Sequence, residues 1–277
     1  MRVVWQLLAV VAVSVVGSQL VFRAEDNPWL APALGCLTAV AAVLVYRWVV
    51  GKTERRPVTE AARAGAVSGI GGGTLAGVAL FGMVIVSIAV LGGYHVTGLG
   101  SVSGAVVLFG FMAAAAVTEE VVFRGVLFRV VEERVGTWIS LVVTSVLFGL
   151  AHMSNPNSTL LGLVILTVGA GTLLTAAYVA TRSLWLPIGL HFGWNLAGSA
   201  IFSTEVSGND TVQGLLDAGT EGPVLLTGGV FGPEASLFSL VFPVLAAVVL
   251  LRVARRRGHL VPRRRAERTG ASTTLPR

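Results

Sequence analysis

The chain alternates between long apolar segments and short polar ones. Eight apolar runs approach or exceed the roughly 17–25 residues that a helix needs to cross a bilayer. The runs cover residues 3–22, 29–50, 74–91, 101–118, 138–153, 159–180, 184–202 and 235–253. The pattern predicts an all-α, polytopic membrane bundle of about eight transmembrane helices.

The polar segments between the runs predict the domain organisation. Residues 1–100 hold the first three helices and a basic cytoplasmic linker, and residues 101–203 hold a core of helices four to seven. An acidic, Gly-rich extracytoplasmic loop at 204–234 and the last helix at 235–254 follow. The tail at 255–277 is basic and is expected to be disordered.

Three segments near the helix boundaries carry further expectations. The glycines at 69–73 are expected to loosen the start of the third helix, and residues 92–100 to form a loop. Residues 126–134 have an amphipathic pattern, which predicts either a helix at the membrane surface or an extension of the fourth helix.

Composition and charge then set the environment and the orientation. The chain is 54% apolar and only 12% charged, which excludes an ordinary soluble domain. Nineteen of its 20 Lys and Arg residues fall on one side if both termini lie there, and only Arg23 falls on the other. Because basic segments stay in the cytoplasm, we expect a multi-pass plasma-membrane protein with both termini cytoplasmic and a site that opens there. The net charge of +6 then reflects contact with the lipid bilayer rather than with nucleic acid.

Charged residues stand at the end of the fourth run, where burial is costly. Glu120 and Arg124 are four residues apart and share a helix face, whereas Glu119 is turned away by about 100°. One carboxylate is therefore paired and the other free. An ordinary ion pair at the membrane surface remains the alternative for this segment alone.

Two later segments place further polar residues inside apolar helices. His152 ends Phe148-Gly149-Leu150-Ala151-His152, and His191 and Asn195 share one face of another helix. A carboxylate and an imidazole around one water suit hydrolysis of an amide or ester, with Glu119 or His152 as the general base. The second imidazole or the carboxamide would stabilise an oxyanion.

Other chemistries find less support in the chain. A Zn²⁺ ion held by His152, His191 and Glu119 is the alternative to a metal-free site, although His-Glu-x-x-His is absent. The chain also lacks a Gly-x-Ser-x-Gly motif and a phosphate-binding loop, which argues against a serine hydrolase and ATP-driven transport. A proton- or cation-coupled transporter using the same buried residues, or a non-catalytic immunity or scaffold protein, remains the alternative function.

In this order, Glu-Glu-x-x-x-Arg, Phe-x-x-x-His and His-x-x-x-Asn resemble the CPBP family of intramembrane endopeptidases, the CAAX proteases and bacteriocin-processing (Abi) proteins. The resemblance implies a peptide or protein substrate in or at the membrane, CAAX-like or bacteriocin-like. It implies that Glu119 and His152 activate water and that His191 and Asn195 hold the oxyanion. Glu120 and Arg124 would brace the site.

One expectation conflicts with this site. In the predicted topology Glu119 lies at the inner end of helix four, whereas His152 lies about 14 residues, or roughly 21 Å, beyond the start of helix five. The two residues meet only if helix four sits deeper, or if helix five is shifted, re-entrant or tilted.

Overall fold

The structure, a computed structural model, describes residues 1–263. In this part of the chain, eight long helices form a bundle, and a two-stranded sheet lies at one end. The elements are α1 (Arg2–Arg23), α2 (Leu30–Glu54), α3 (Ala66–Val90), β1 (Tyr94–Leu99), α4 (Val102–Val135), α5 (Thr137–Ala151), α6 (Leu160–Thr181), α7 (185–201), β2 (Leu216–Thr220) and α8 (Leu237–Arg256). Six of the helices described are long and apolar enough to cross a membrane, and α5 and α7 are shorter. This confirms the all-α multi-pass membrane bundle, although not the count of eight spans.

Charge divides the bundle into two ends. At the basic end, Arg129 Nη2 donates to Glu54 Oε1 at 2.7 Å, and Arg182 pairs with Glu132. These pairs join the last turns of α2, α4 and α6. The opposite, acidic end carries the turn after α1 and the segment between α7 and α8. That segment contributes Glu205, Asp210, Asp217, Glu221 and Glu234. The membrane side that each end faces stays a prediction.

The helix α4 does not stop at the paired glutamates but continues for 34 residues. Its middle part, Val121–Phe128, widens into π-helical turns, and Arg129–Val135 completes it. Of the two alternatives for residues 126–134, the extension of the fourth helix is therefore confirmed, and the separate surface helix is wrong.

This continuation removes the conflict in depth. Glu119 lies 16 residues, or about 24 Å, before Val135 at the basic end of α4. The neighbouring helix α5 starts at Thr137 and, after 15 residues or about 22 Å, ends just before His152. The two side chains thus reach the same depth from the same end.

The glycines expected to loosen α3 lie inside the helix, where Gly69 and Gly73 pack against α7 and Gly71 and Gly72 face open space. The helix begins at Ala66, and its glycine face lies directly on α7. A Cβ atom on Gly77 would lie 2.3 Å from the carbonyl oxygen of Leu190, and one on Gly193 would lie 2.2 Å from that of Thr74. Small residues allow two backbones to approach closely in membranes, and this contact fixes α7 in the bundle.

The segments predicted as loops at the acidic end are also folded. Residues 92–100 contain β1, which pairs antiparallel with β2 from the predicted loop at 204–234. The same segment buries Val206 and Phe231 against the helices. Sequence reasoning missed this because the two strands lie more than 100 residues apart and contain only six and five residues.

The last helix ends at Arg256, and residues 257–263 pack back onto the basic end. Arg257 Nη1 donates to the carbonyl oxygen of Ala180 at 3.1 Å, and the Val261 amide donates to Thr137 Oγ1 at 2.8 Å. The tail expected to be disordered from residue 255 is therefore ordered as far as residue 263. Residues 264–277 of that predicted tail lie outside the described part of the chain.

The contact between α3 and α7 makes a testable prediction. We expect Gly77→Ala to lower the free energy of unfolding by about 1–3 kcal/mol, because the added methyl group overpacks the contact. Gly72→Ala, in the same helix but with open space around its Cβ position, should be neutral or slightly stabilising. Unfolding midpoints in detergent measure both variants, and equal losses would contradict the packing.

Candidate active site

The three sequence motifs meet at one point near the middle of the bundle. Glu119 on α4 directs its Oε2 atom toward two histidine Nε2 atoms, 3.9 Å away in His152 and 3.8 Å away in His191. His152 follows the last residue of α5, and His191 lies in the middle of α7. The structure therefore brings these predicted site residues together.

Each imidazole ring is oriented by a hydrogen bond at its other nitrogen. His152 Nδ1 lies 2.7 Å from the carbonyl oxygen of Phe148, and His191 Nδ1 lies 2.9 Å from Glu120 Oε1. Since both oxygens accept, each Nδ1 atom carries a proton. A neutral ring then presents the lone pair of its Nε2 atom to the Glu119 carboxylate, and a doubly protonated ring presents an N–H there. One carboxylate oxygen and two imidazole nitrogens converge, a set suited to a water molecule or a shared proton.

A fully buried ion pair supports His191 from the side away from Glu119. Glu120 Oε1 accepts from Arg124 Nη1 at 2.7 Å as well as from His191 Nδ1, and both side chains of the ion pair are inaccessible to solvent. Arg124 Nη2 donates to the carbonyl oxygen of Gly171 on α6 at 3.0 Å. The predicted pair at positions i and i+4 thus links α4, α6 and α7.

Phe148 lies at the centre of these groups. Its ring centroid is 4.8 Å from that of His152 and 5.9 Å from that of His191. The Arg124 guanidinium lies 4.9 Å from the same centroid, a distance at which a cation is attracted to the face of an aromatic ring. The phenylalanine of the second motif thereby packs against residues of all three motifs.

The three helices that the ion pair links by hydrogen bonds all contain π-helical turns beside it. These turns follow Glu120 in α4, end at Gly171 in α6 and follow Asn195 in α7. Such turns are rare and concentrate at functional sites, because they redirect side chains and free backbone carbonyls. Here the Gly171 carbonyl accepts a hydrogen bond from Arg124.

A cavity of about 420 Å³ ends at Glu119, His152, His191 and Asn195. The Glu119 side chain is 31% exposed, whereas that of Glu120 is fully buried. The Oε2 atom of Glu119 is itself buried and has no hydrogen-bond partner among residues 1–263. Water can therefore reach Glu119 but not Glu120.

The direction of this cavity corrects one expectation from the sequence. Its wall continues from the site along the second half of α1 to Glu25 and along residues 206–212. Both segments belong to the acidic end. The sequence predicted an opening at the basic, cytoplasmic end, and this prediction is wrong for the cavity that contains the site.

Sequence reasoning missed Glu234, which reaches from the segment before α8 into the bundle. Its Oε1 atom accepts from Trp194 Nε1 at 2.5 Å, and its Oε2 atom accepts from the Ser207 hydroxyl at 3.0 Å. Burial raises the pKa of Glu234, although these hydrogen bonds oppose the rise. The residue anchors the cavity wall at Ser207 to α7 beside Asn195. In the sequence it is one of several acidic residues of a loop, and no spacing distinguishes it.

Glu119, His152 and His191 are also the candidate zinc ligands. Tetrahedral ligands about 2.0–2.1 Å from Zn²⁺ lie about 3.4 Å from one another. The separations of 3.8 and 3.9 Å between Glu119 and the two histidines are wider. Among residues 1–263, no three His, Cys, Asp or Glu side chains are placed to hold a metal ion. The side chains as they lie do not fit the zinc alternative.

Residues 101–197 match the family model described as type II CAAX prenyl endopeptidase Rce1-like. The matched range contains Glu119, His152, His191 and Asn195, and it confirms the family that the three motifs resemble. No curated protein and no solved structure matches the chain.

The buried ion pair makes a prediction about stability. We expect Glu120→Gln and Arg124→Met each to cost about 3–5 kcal/mol, because each leaves an unpaired buried charge. The double variant should lose less stability than the sum of the losses of the two single variants. Glu133→Gln, which removes an exposed partner of Arg2, should cost at most about 1 kcal/mol. The free energies of unfolding of the two single variants and the double variant, measured in detergent, form a double-mutant cycle. Additive losses of stability would show that Glu120 and Arg124 do not act as a unit.

Proposed function

We propose that the protein is an intramembrane endopeptidase, from the premise that residues 101–197 match the type II CAAX prenyl endopeptidase Rce1-like family model. In this proposal a water molecule activated at Glu119 hydrolyses a peptide bond of a membrane-associated substrate. The observation that carries the proposal is the buried Oε2 atom of Glu119, which faces two imidazole nitrogens and has no partner among residues 1–263.

The first step is the activation of water. A polar separation of 3.8–3.9 Å is one that a bridging water molecule can occupy. Glu119 accepts a proton from this water as its oxygen attacks the carbonyl carbon of the scissile bond. The lone pair of His152 Nε2 orients the water through its second hydrogen. His152 in turn is held by the carbonyl oxygen of Phe148.

The second step is the stabilisation of the oxyanion. The attacked carbonyl oxygen becomes negatively charged and needs hydrogen-bond donors. Asn195 offers its amide from the cavity wall, and His191 offers Nε2–H in its doubly protonated form. The carboxylates of Glu119 and Glu120 on either side favour this charged form of His191. The proton held by Glu119 then passes to the leaving amine as the carbon–nitrogen bond breaks.

Glu120 and Arg124 act in this proposal as positioning residues. They are buried away from the cavity, and Glu120 Oε1 fixes the Nδ1 proton of His191. Arg124 compensates the charge of Glu120 at a place where water does not reach. Removal of either residue therefore acts on the site through the orientation of His191.

The alternative functions find less support. A transporter or a non-catalytic scaffold also accommodates buried Glu and His residues. Neither alternative gains from the family match over residues 101–197, which favours the endopeptidase.

The two adjacent glutamates should respond differently to the same substitution. We expect Glu119→Gln to reduce turnover by about 10²–10⁴-fold with an unchanged unfolding midpoint, because it removes a general base from an accessible position. Glu120→Gln should lower both turnover and stability. Cleavage of membrane-associated peptide libraries by purified protein measures turnover, and Glu205→Gln in the acidic segment is the control. Near-normal turnover of Glu119→Gln would reject the proposed base.

The proposed mechanism also predicts the metal content. We expect protein purified without a His tag to contain no stoichiometric zinc, because Glu119 and the two histidines lie too far apart as they stand. Elemental analysis measures the content. One equivalent of Zn²⁺ that disappears in the His152→Ala, His191→Ala double variant would overturn this expectation.

A further inference from the structure

The cavity that ends at Glu119 extends to the surface at the acidic end of the bundle. Ser14, Ser18 and Phe22 of α1 line one side, and Phe111 and Met112 of α4 line another. Residues 206–212 complete the wall. The volume of about 420 Å³ lies within the range of about 300–1,000 Å³ typical of ligand pockets. The middle of the channel is lined by apolar side chains and hydroxyl groups, and carboxylates lie at its two ends, which suits an extended peptide with small or apolar side chains.

The bundle is closed on the other side of the site. Arg124 and Glu120 are fully buried beneath Glu119. Beyond them, Phe128, Tyr178 and Leu184 pack in a buried cluster toward the basic end. The surface cavity found at the basic end is lined by residues of α1 and α2 and contains none of the site residues. The cavity that reaches Glu119 therefore extends toward the acidic end.

We infer that this cavity is the substrate-binding channel and that it takes an internal peptide segment presented on the extracytoplasmic side of the membrane. The inference rests on the proposed function and names its substrate class. The division of basic residues puts the basic end in the cytoplasm, and the channel opens at the opposite end. The carboxyl terminus of a cytoplasmic protein would approach from the closed end.

The charge of the channel supports an internal segment over a free carboxyl terminus. Glu119 lies at its inner end, Glu25 and Asp210 lie in its outer part, and no Lys or Arg of residues 1–263 lines it. A substrate carboxylate close to the cleaved bond would meet like charge and no compensating cation. A peptide that continues past the cleaved bond as an amide avoids this repulsion.

Thiol labelling tests the side on which the channel opens. Cys36, the only cysteine, is replaced by Ser, and single cysteines are introduced by Ser18→Cys in the channel, Glu221→Cys at the acidic end and Lys52→Cys at the basic end. In intact cells, a sulfonated, membrane-impermeant maleimide should label Ser18→Cys and Glu221→Cys but not Lys52→Cys. Labelling of Lys52→Cys, or protection of Ser18→Cys while Glu221→Cys reacts, overturns the inference.

A second experiment tests the substrate class with purified full-length protein in detergent. Quenched fluorescent peptides of one apolar sequence end within three residues of the cleaved bond, either as an amide or as a free carboxylate. We expect kcat/KM to be at least about tenfold higher for the amide, which corresponds to about 1.4 kcal/mol. An equal or reversed preference overturns the substrate class. If the unmodified protein cleaves neither peptide, the proposed function fails, and labelling decides the channel independently.

Discussion

The structure depends on one buried interaction, the hydrogen bonds that Glu120 accepts from Arg124 and His191. A charged pair away from water is tolerated only when each partner meets the other and further hydrogen bonds complete the set. Arg124 reaches the Gly171 carbonyl on α6, and Glu120 reaches His191 on α7, whereas Arg124 Nε and Glu120 Oε2 have no hydrogen-bond partner among residues 1–263. The relative positions of α4, α6 and α7 are therefore constrained by the hydrogen bonds of Glu120 and Arg124.

The backbone adapts to this demand in two ways. π-helical turns in α4, α6 and α7 lie beside the ion pair and change the helical phase of the residues that follow them. On the far side of α7, Gly189 and Gly193 lie against the backbone of α3. The helix that carries His191 and Asn195 is thus fixed on both faces.

Local spacing predicted the parts of the site that lie on one helix. The separation of four residues predicted that Glu120 lies beside Arg124 and that Asn195 lies on the same face as His191. It also predicted that Glu119 has no partner in Arg124. The structure agrees with these placements. The family resemblance added the prediction that the three motifs form one site, which residue spacing within a helix cannot give. The assignment of a role to each residue stays a prediction.

Features that depend on distant parts of the chain were not predictable in this way. The depth of Glu119 depends on whether the helix continues past Gly125, and the apolar pattern is compatible with both outcomes. Glu234 meets Trp194 across 40 residues, and its position is set by the folding of the whole segment between α7 and α8. The direction of the cavity likewise depends on how α1 packs against the other helices, and no sequence motif indicates this packing.

The short helix α5 has a consequence for the surrounding lipid. Its 15 residues extend about 22 Å, whereas the hydrocarbon core of a bilayer is about 30 Å thick. A bilayer can accommodate a short helix by thinning locally, and such thinning would bring headgroups and their hydration shell closer to His152. The mismatch between helix and lipid would then place the candidate site nearer to water than a bilayer of full thickness does.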